Sequence, residues 1–246
     1  MKLSVAVVTS TIGRDTLEDT IKSVASQTYP AKHYVFVHGQ EYWEKSKAIL
    51  DKCPFVTAIY LPHNNGADGY GMAPVYAMAP YVINEDVICY LDDDNFYEPT
   101  HVETCMHLLD NAVLDWVYAL RNIVDADGNF ICQDNCESLG LTKNSSGYNL
   151  VDNSCFVVRT RLARYCASAW YNPVISDRKF LEALFNSEAR CGCTGLFTVN
   201  YRMSKDGSGV MSVEAFTEHN NHQVAQYGAD FPWHKPQIFL PQKDTE

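Results

Sequence analysis

No stretch of this 246-residue chain approaches the roughly 20 consecutive apolar residues that span a bilayer. Its opening, Met1-Lys2-Leu3-Ser4-Val5-Ala6-Val7-Val8, lacks the long apolar core and small-residue cleavage site of an export signal and reads as a first strand. Basic residues are scarce: 19 Lys and Arg against 30 Asp and Glu leave a formal charge of −11. Nucleic-acid binding is therefore not expected, because a phosphate footprint needs concentrated positive charge. Three signatures are missing as well. There is no P-loop, no Gly-x-Gly-x-x-Gly after the first strand and no Gly-x-Ser-x-Gly elbow, which argues against P-loop, dinucleotide-oxidoreductase and Ser-His-Asp hydrolase chemistry. No internal repeat and no interdomain linker is visible. The nine cysteines, odd in number and scattered from Cys53 to Cys193, fit mostly buried thiols in a reducing, cytoplasmic setting.

What is present is concentrated at one junction. Asp92-Asp93-Asp94-Asn95 stands directly behind the apolar run Val87-Ile88-Cys89-Tyr90-Leu91. Three consecutive carboxylates at the end of a buried strand repel one another and need a cation, a proton or bulk water. A functional metal site meets that need, and so does an acidic loop or an adventitious calcium site.

The first half alternates strand and helix signals. Strands are expected at Leu3 to Thr9, Tyr34 to Val37, Val56 to Leu61 and Val87 to Leu91. Helices are expected after an Asp15/Glu18 capping box, over Tyr42 to Leu50, from Gly71 to Met78, and after a Thr100/Glu103 capping box. This rhythm predicts an open, largely parallel sheet with ligands beyond the carboxyl ends of its strands, where the acidic tetrad falls. Beyond Leu109 the rhythm is lost. A strand at Trp116 to Arg121, a hairpin turning at Asp127-Gly128, a site-shaping loop over Cys132 to Asn149, a strand at Cys155 to Val158, a helix from Asp177 and a strand at Leu196 to Tyr201 are expected. The organisation predicted is one domain over 1–221, with halves 1–110 and 111–221, and an extended closing segment over 222–246 carrying Pro232, Pro236 and Pro241.

Taken in order, Ser4 to Arg14, Leu17 to Gln27 with Tyr29-Pro30, Asn64-Asn65-Gly66, Ala73 and Leu91-Asp92-Asp93-Asp94-Asn95 resemble a family-2-like glycosyltransferase of GT-A fold. The resemblance is close through Leu109 and looser to about residue 205. It implies an α/β fold: a predominantly parallel central sheet flanked by helices, with a smaller mixed or antiparallel acceptor-side region. It also implies metal-dependent, inverting transfer of a sugar from a nucleoside-diphosphate sugar to a saccharide, lipid-linked saccharide or other hydroxyl acceptor, with Mn2+ or Mg2+.

Carried over by position, Asp94 is the metal ligand and Asp92 the donor-side carboxylate, while Thr9, Thr11, Arg14 and Asn65 fall in donor-binding segments. Strand alternation turns Asp93 away from both neighbours, which gives it either a supporting role on the donor side or a core-facing one. His38 stands where many relatives carry an acidic base contact, and either replaces that contact or packs at a strand end. Asp177 matches the position of the catalytic base, and also suits a helix N-cap. Asp152 is the second candidate for the base or lines the acceptor pocket, and Trp170-Tyr171 either stack on a sugar or pack in the core. Ser204 stands where relatives carry a metal-binding histidine. His219 and His222, three apart, either supply that ligand from a displaced position or are surface histidines. A non-catalytic nucleotide-sugar or glycan-binding module is the alternative, a sugar nucleotidyltransferase a more distant one. A homodimer formed through the tail is also expected.

Overall fold

Val87-Ile88-Cys89-Tyr90 carries no polar alternation, and the reason is its place in the sheet: all four residues are buried, as in a strand covered on both faces. In the computed structural model, which describes residues 2–142, 150–204 and 211–240, this segment is β4 (Val87–Tyr90). It pairs in parallel with β1 (Val5–Thr11), which pairs in parallel with β2 (Lys32–His38), and that in turn with β3 (Val56–Leu61). The crossovers are α1 (Leu17–Ala25), α2 (Trp43–Leu50) and α3 (Ala73–Val82). The chain then forms β5 (Phe96–Tyr97), α4 (His101–Asn111), β6 (Trp116–Val124), β7 (Phe130–Gln133), β8 (Phe156–Arg159), α5 (Thr160–Cys166), α6 (Ser176–Asn186), β9 (Cys191–Arg202), α7 (Val213–Tyr227) and β10 (Gln237–Phe239).

Among the described residues one ten-stranded sheet results, in the order β10-β9-β6-β8-β4-β1-β2-β3, with β5 on β9 and β7 on β6. Parallel pairing holds from β4 to β3 and between β6 and β9, but β8 runs antiparallel to both β4 and β6. The sheet is therefore continuous and mixed, and the predominantly parallel expectation describes its first half. Beneath the end of β4 lies an aromatic cluster. Trp170 stacks on Phe180 with centroids 4.3 Å apart, and Tyr90 lies 4.9 Å from Trp170. These rings anchor the strand that delivers the tetrad.

Three local expectations are corrected. Neither capping box forms: α1 and α4 begin after Thr16 and Thr100 without a side-chain cap bond, and Glu103 accepts instead from Thr28 Oγ1 at 2.8 Å. A tertiary partner has displaced the local one. The segment expected to be extended from residue 222 is helical to Tyr227, with Phe216 and Gln223 as the buried positions of α7. Seven residues apart, they share one helix face. Both end signals are present: Ser212 Oγ accepts from Ala215 N at 3.2 Å, and Gly228 follows the last turn with φ 72°. Beyond it β10 joins the sheet edge, pairing antiparallel with β9. Residues 143–149 of the expected loop and 241–246 of the expected tail lie outside the described residues.

Gly195 holds this closing strand in place. Its φ is +70°, and a Cβ there would stand 2.6 Å from the carbonyl carbon of Lys235. Gly195→Ala is expected to cost about 2 kcal/mol through backbone strain and displacement of Lys235. Urea denaturation reads the loss, and amide exchange at Gln237–Phe239 should accelerate more than exchange in β1.

Candidate active site

The tetrad is a turn, closed by Asn95 N donating to Asp92 O at 3.2 Å. Hydroxyls from the β1–α1 region hold one side: Thr11 Oγ1 donates to Asp93 Oδ2 at 2.7 Å, Thr16 Oγ1 to Asp93 O at 2.8 Å and Thr20 Oγ1 to Asn95 O at 2.7 Å. The other side is held from the second half of the chain. Ser154 Oγ accepts from Asp92 N at 3.3 Å and from Asn95 Nδ2 at 3.1 Å. Arg202 Nε donates to Asp94 O at 2.9 Å, and Arg202 N to Asn95 Oδ1 at 3.0 Å.

The three carboxylates have unequal surroundings. Asp93 is buried, while Asp92 and Asp94 are half-buried, the alternation that the strand period predicts. Burial, against the opposing pull of Arg14, pushes the Asp93 carboxyl up to about 6. Asp92 accepts from Tyr76 Oη at 2.8 Å and from Asn153 Nδ2 at 3.3 Å. Burial, then the charges of Asp94 and Asp152, raise it above the ordinary carboxylate range. Asp94 is also raised by burial and is hydrogen-bonded to Arg14 Nη1. Arg14 Nε lies 3.6 Å from Asp93 Oδ1.

These groups face a cavity of about 290 Å³ lined by Thr11, Arg14, His38, Asn64, Gly66, Met72 and all three aspartates. His38 Nε2 accepts from Asn65 N at 2.9 Å, so its ring braces the following loop as well as lining the cavity. Asn65 itself is exposed, and its neighbours Asn64 and Gly66 form the wall. Gly66 is required there, since a Cβ would stand 2.2 Å from Gly71 O. Thr9 is corrected: its hydroxyl is fully buried and bonded to His33 Nε2 at 2.9 Å, away from this cavity.

A second cavity, about 410 Å³, is lined by Met72 and Asp92 together with Arg121, Glu137, Asp152, Asp177, Arg178, Tyr201 and Phe216. Asp177 is the second residue of α6, whose N-cap position is Ile175 without a side-chain cap bond. Its Oδ1 accepts from Arg178 N at 2.7 Å, and burial, then the nearby Asp152 charge, push the carboxyl up to about 6. Val174, at φ +67° and 84% exposed, holds a conformation that costs a β-branched residue about 1–3 kcal/mol. Its amide donates to Gly69 O at 3.0 Å, joining the loops that border the two cavities.

Behind Asp152 lies an ion cluster that sequence reasoning missed. Arg121 Nε donates to Asp134 Oδ2 at 2.8 Å, Nη1 to Asp152 Oδ2 at 2.6 Å and Nη2 to Glu137 Oε2 at 3.1 Å. The guanidinium lies 4.5 Å from the Tyr201 ring centroid and 5.8 Å from that of Phe216. Asp152 also accepts from Ser154 N at 3.0 Å, so both its oxygens are engaged. An arginine inside the apolar β6 run was the available signal, since a buried guanidinium requires carboxylate partners.

Other expected ligands lie elsewhere. Trp170 is fully buried in the aromatic cluster, which leaves no face for a sugar. Tyr171 is 56% exposed and stacks on Tyr70 at 4.7 Å, outside both cavities. His219 and His222 lie exposed on α7 and line neither cavity. Among the described residues no group of three or more His, Cys, Asp or Glu side chains is arranged to hold a metal ion. Asp94, 30% exposed, suits one or two hard carboxylate contacts to a cation whose remaining ligands are phosphate and water. No helix among the described residues is long and apolar enough to cross a membrane.

The profile of Glycosyl transferase family 2 matches residues 4–156, more than half of the chain. The chain belongs to this glycosyltransferase family. No curated protein sequence matches it. Among solved structures, S. aureus TarS 1-349 in complex with UDP-GlcNAc is similar at TM-score 0.65 and 16% identity, over 94% of this chain and 68% of that one. The same protein in complex with UDP gives 0.63 and 15%, over 91% and 72%. Against the longer TarS chain the values are 0.60 and 13%, over 94% of this chain and 44% of that one. The shared fold is GT-A-like, and family membership places the chain among enzymes that transfer a sugar to an acceptor.

Burial would raise the Asp134 carboxyl, but Arg121 and the amides of Cys136 and Glu137 outweigh it and hold it below the ordinary range. Its stabilising contribution is therefore present at pH 7 and lost as pH falls through its depressed folded pKa. Without Arg121, burial prevails and the same carboxyl takes up a proton at higher pH. Arg121→Ala is expected to cost about 3–5 kcal/mol at pH 7, and urea denaturation should show the deficit shrinking from pH 7 to pH 5.

Proposed function

We propose that this family-2 member catalyses metal-dependent, inverting transfer of a sugar from a nucleoside-diphosphate sugar to a hydroxyl-bearing acceptor, a saccharide or a lipid-linked saccharide. The observation that carries this reading is the wall shared by the two cavities. Asp92 and Met72 line both, so a donor against the acidic turn and an acceptor beside Asp177 would meet across these two side chains. Uridine donors lead the test panel because the similar TarS chain was crystallised with UDP-GlcNAc and with UDP.

On this reading Thr11 and His38 border the nucleoside, and Arg14 reaches the diphosphate as a planar two-pronged donor. Asp94 is the protein ligand of Mn2+ or Mg2+, which when bound stabilises the charge that develops on the departing diphosphate. Asp92, held by Tyr76 and Asn153, faces the transferred sugar. Asp177 accepts the proton of the attacking hydroxyl. The acceptor oxygen bonds to the anomeric carbon as the bond from that carbon to the diphosphate oxygen breaks on the opposite face. A carboxyl pushed up to about 6 is ionised at neutral pH and is a stronger base than an ordinary aspartate. Arg121 positions Asp152, and thereby the floor of the acceptor cavity.

Release of nucleoside diphosphate with Mn2+, donor and acceptor, followed by mass analysis of the product, tests the reading. Specific donor binding without release across broad panels would favour a binding module. Asp177→Asn is expected to lower kcat by about 100-fold or more while leaving nucleotide affinity unchanged. In the wild type kcat/KM should fall as pH drops below about 6, because the base becomes protonated, and the residual activity of Asp177→Asn should lack this limb. Asp94→Ala should abolish the dependence of donor binding on metal, measured by calorimetry with and without Mn2+.

A further inference from the structure

Arg14 is the one charged side chain of the β1–α1 loop that lies within the acidic turn. Its guanidinium is bonded to Asp94 and lies 3.6 Å from Asp93 Oδ1, so it occupies the space in front of Asp94, the more exposed of these two carboxylates. Two features make this placement exchangeable. The backbone before it is fixed: Gly13 N donates to Thr11 Oγ1 at 2.9 Å, and Gly13 at φ +73° packs so closely on α2 that a Cβ would stand 2.9 Å from Ser46 Oγ. The Arg14 side chain, by contrast, is 51% exposed. Arg202, the other cation at the turn, is tied to the carbonyls of Asp94 and Ala126 and to Asp19. Of the two, Arg14 alone meets the carboxylates and has room to leave.

We infer that Arg14 serves as the resident counter-ion of Asp93 and Asp94, excluding divalent cations from the turn until a nucleoside diphosphate draws the guanidinium away. This rests on the donor-site reading above and adds an order to it. A guanidinium is always charged, and its fork matches phosphate oxygens as well as carboxylate oxygens. A diphosphate entering the cavity competes for Arg14 and brings its own metal-binding oxygens. Asp94 is released at the moment a cation with a partly filled oxygen shell arrives, so metal and nucleotide enter as a unit and free metal is refused.

The test is a titration of the full chain with Mn2+, read as free Mn2+ by electron paramagnetic resonance, with and without UDP. Without nucleotide, Arg14→Gln is expected to bind Mn2+ about tenfold more tightly than the wild type, since a fixed positive charge next to the ligand has been removed. Arg14→Lys, which keeps the charge, should stay near the wild type. With UDP present the advantage of Arg14→Gln should vanish, and its UDP affinity should fall because the diphosphate has lost a partner. Equal or weaker nucleotide-free Mn2+ binding by Arg14→Gln, in proteins that still bind UDP with Mn2+, overturns the exchange and leaves the donor site standing. If the wild type binds neither UDP nor any other nucleoside diphosphate, the donor-site reading fails and the exchange with it.

Discussion

The constraint on which the rest of this structure depends is the holding of three adjacent carboxylates in one turn. Left to itself, Asp92-Asp93-Asp94 would spread into water. Here it is held by the hydroxyls of Thr11, Thr16 and Thr20 on one side and by Ser154 and Arg202 on the other. Those partners come from both halves of the chain. The turn therefore assembles only when the first four strands and the β6–β8–β9 region have docked, and its geometry reports on the whole sheet.

Sheet order explains how this docking is achieved. β4 lies between β1 and the antiparallel β8, which puts the end of β4 beside the β1–α1 loop and beside Asn153-Ser154. β5, immediately after the turn, pairs with β9 and brings Arg202 to Asp94. The aromatic cluster around Trp170 and Phe180 supports Tyr90 from below. Rigid strands below and short hydrogen bonds above leave the turn little freedom, which is what a site needs if charge is to be stabilised without reorganisation.

The two cavities differ in how their charge is balanced. At the acidic turn the counter-charge is Arg14, half-exposed and paired with Asp93 and Asp94. In the second cavity it is Arg121, buried and bonded to Asp134, Asp152 and Glu137. Burial turns the second cluster into architecture, because removing any partner would strand a charge in a poorly solvated interior. Asp177 sits at the edge of that cluster, where burial and then the nearby Asp152 charge outweigh the pull of Arg121 and push its carboxyl up to about 6.

The sequence alone determined the order of the first four strands and their helices, the position of the acidic tetrad at a strand end and the alternation that separates Asp93 from its neighbours. These follow from periodicity along the chain, which is a local property. The resemblance further singled out Arg14, Asp94 and Asp177, and all three line the two cavities. Only tertiary structure decided the rest. It turned Thr9 toward His33 and buried Trp170. It left both capping boxes unformed, with Glu18 paired to Lys22 and Glu103 bonded to Thr28, and carried α7 past the expected boundary. It also placed Arg121 opposite carboxylates up to 31 residues away in sequence. Hydroxyls, indoles and guanidiniums find partners across the fold, and which partner prevails depends on distance and burial that no pattern along one chain contains.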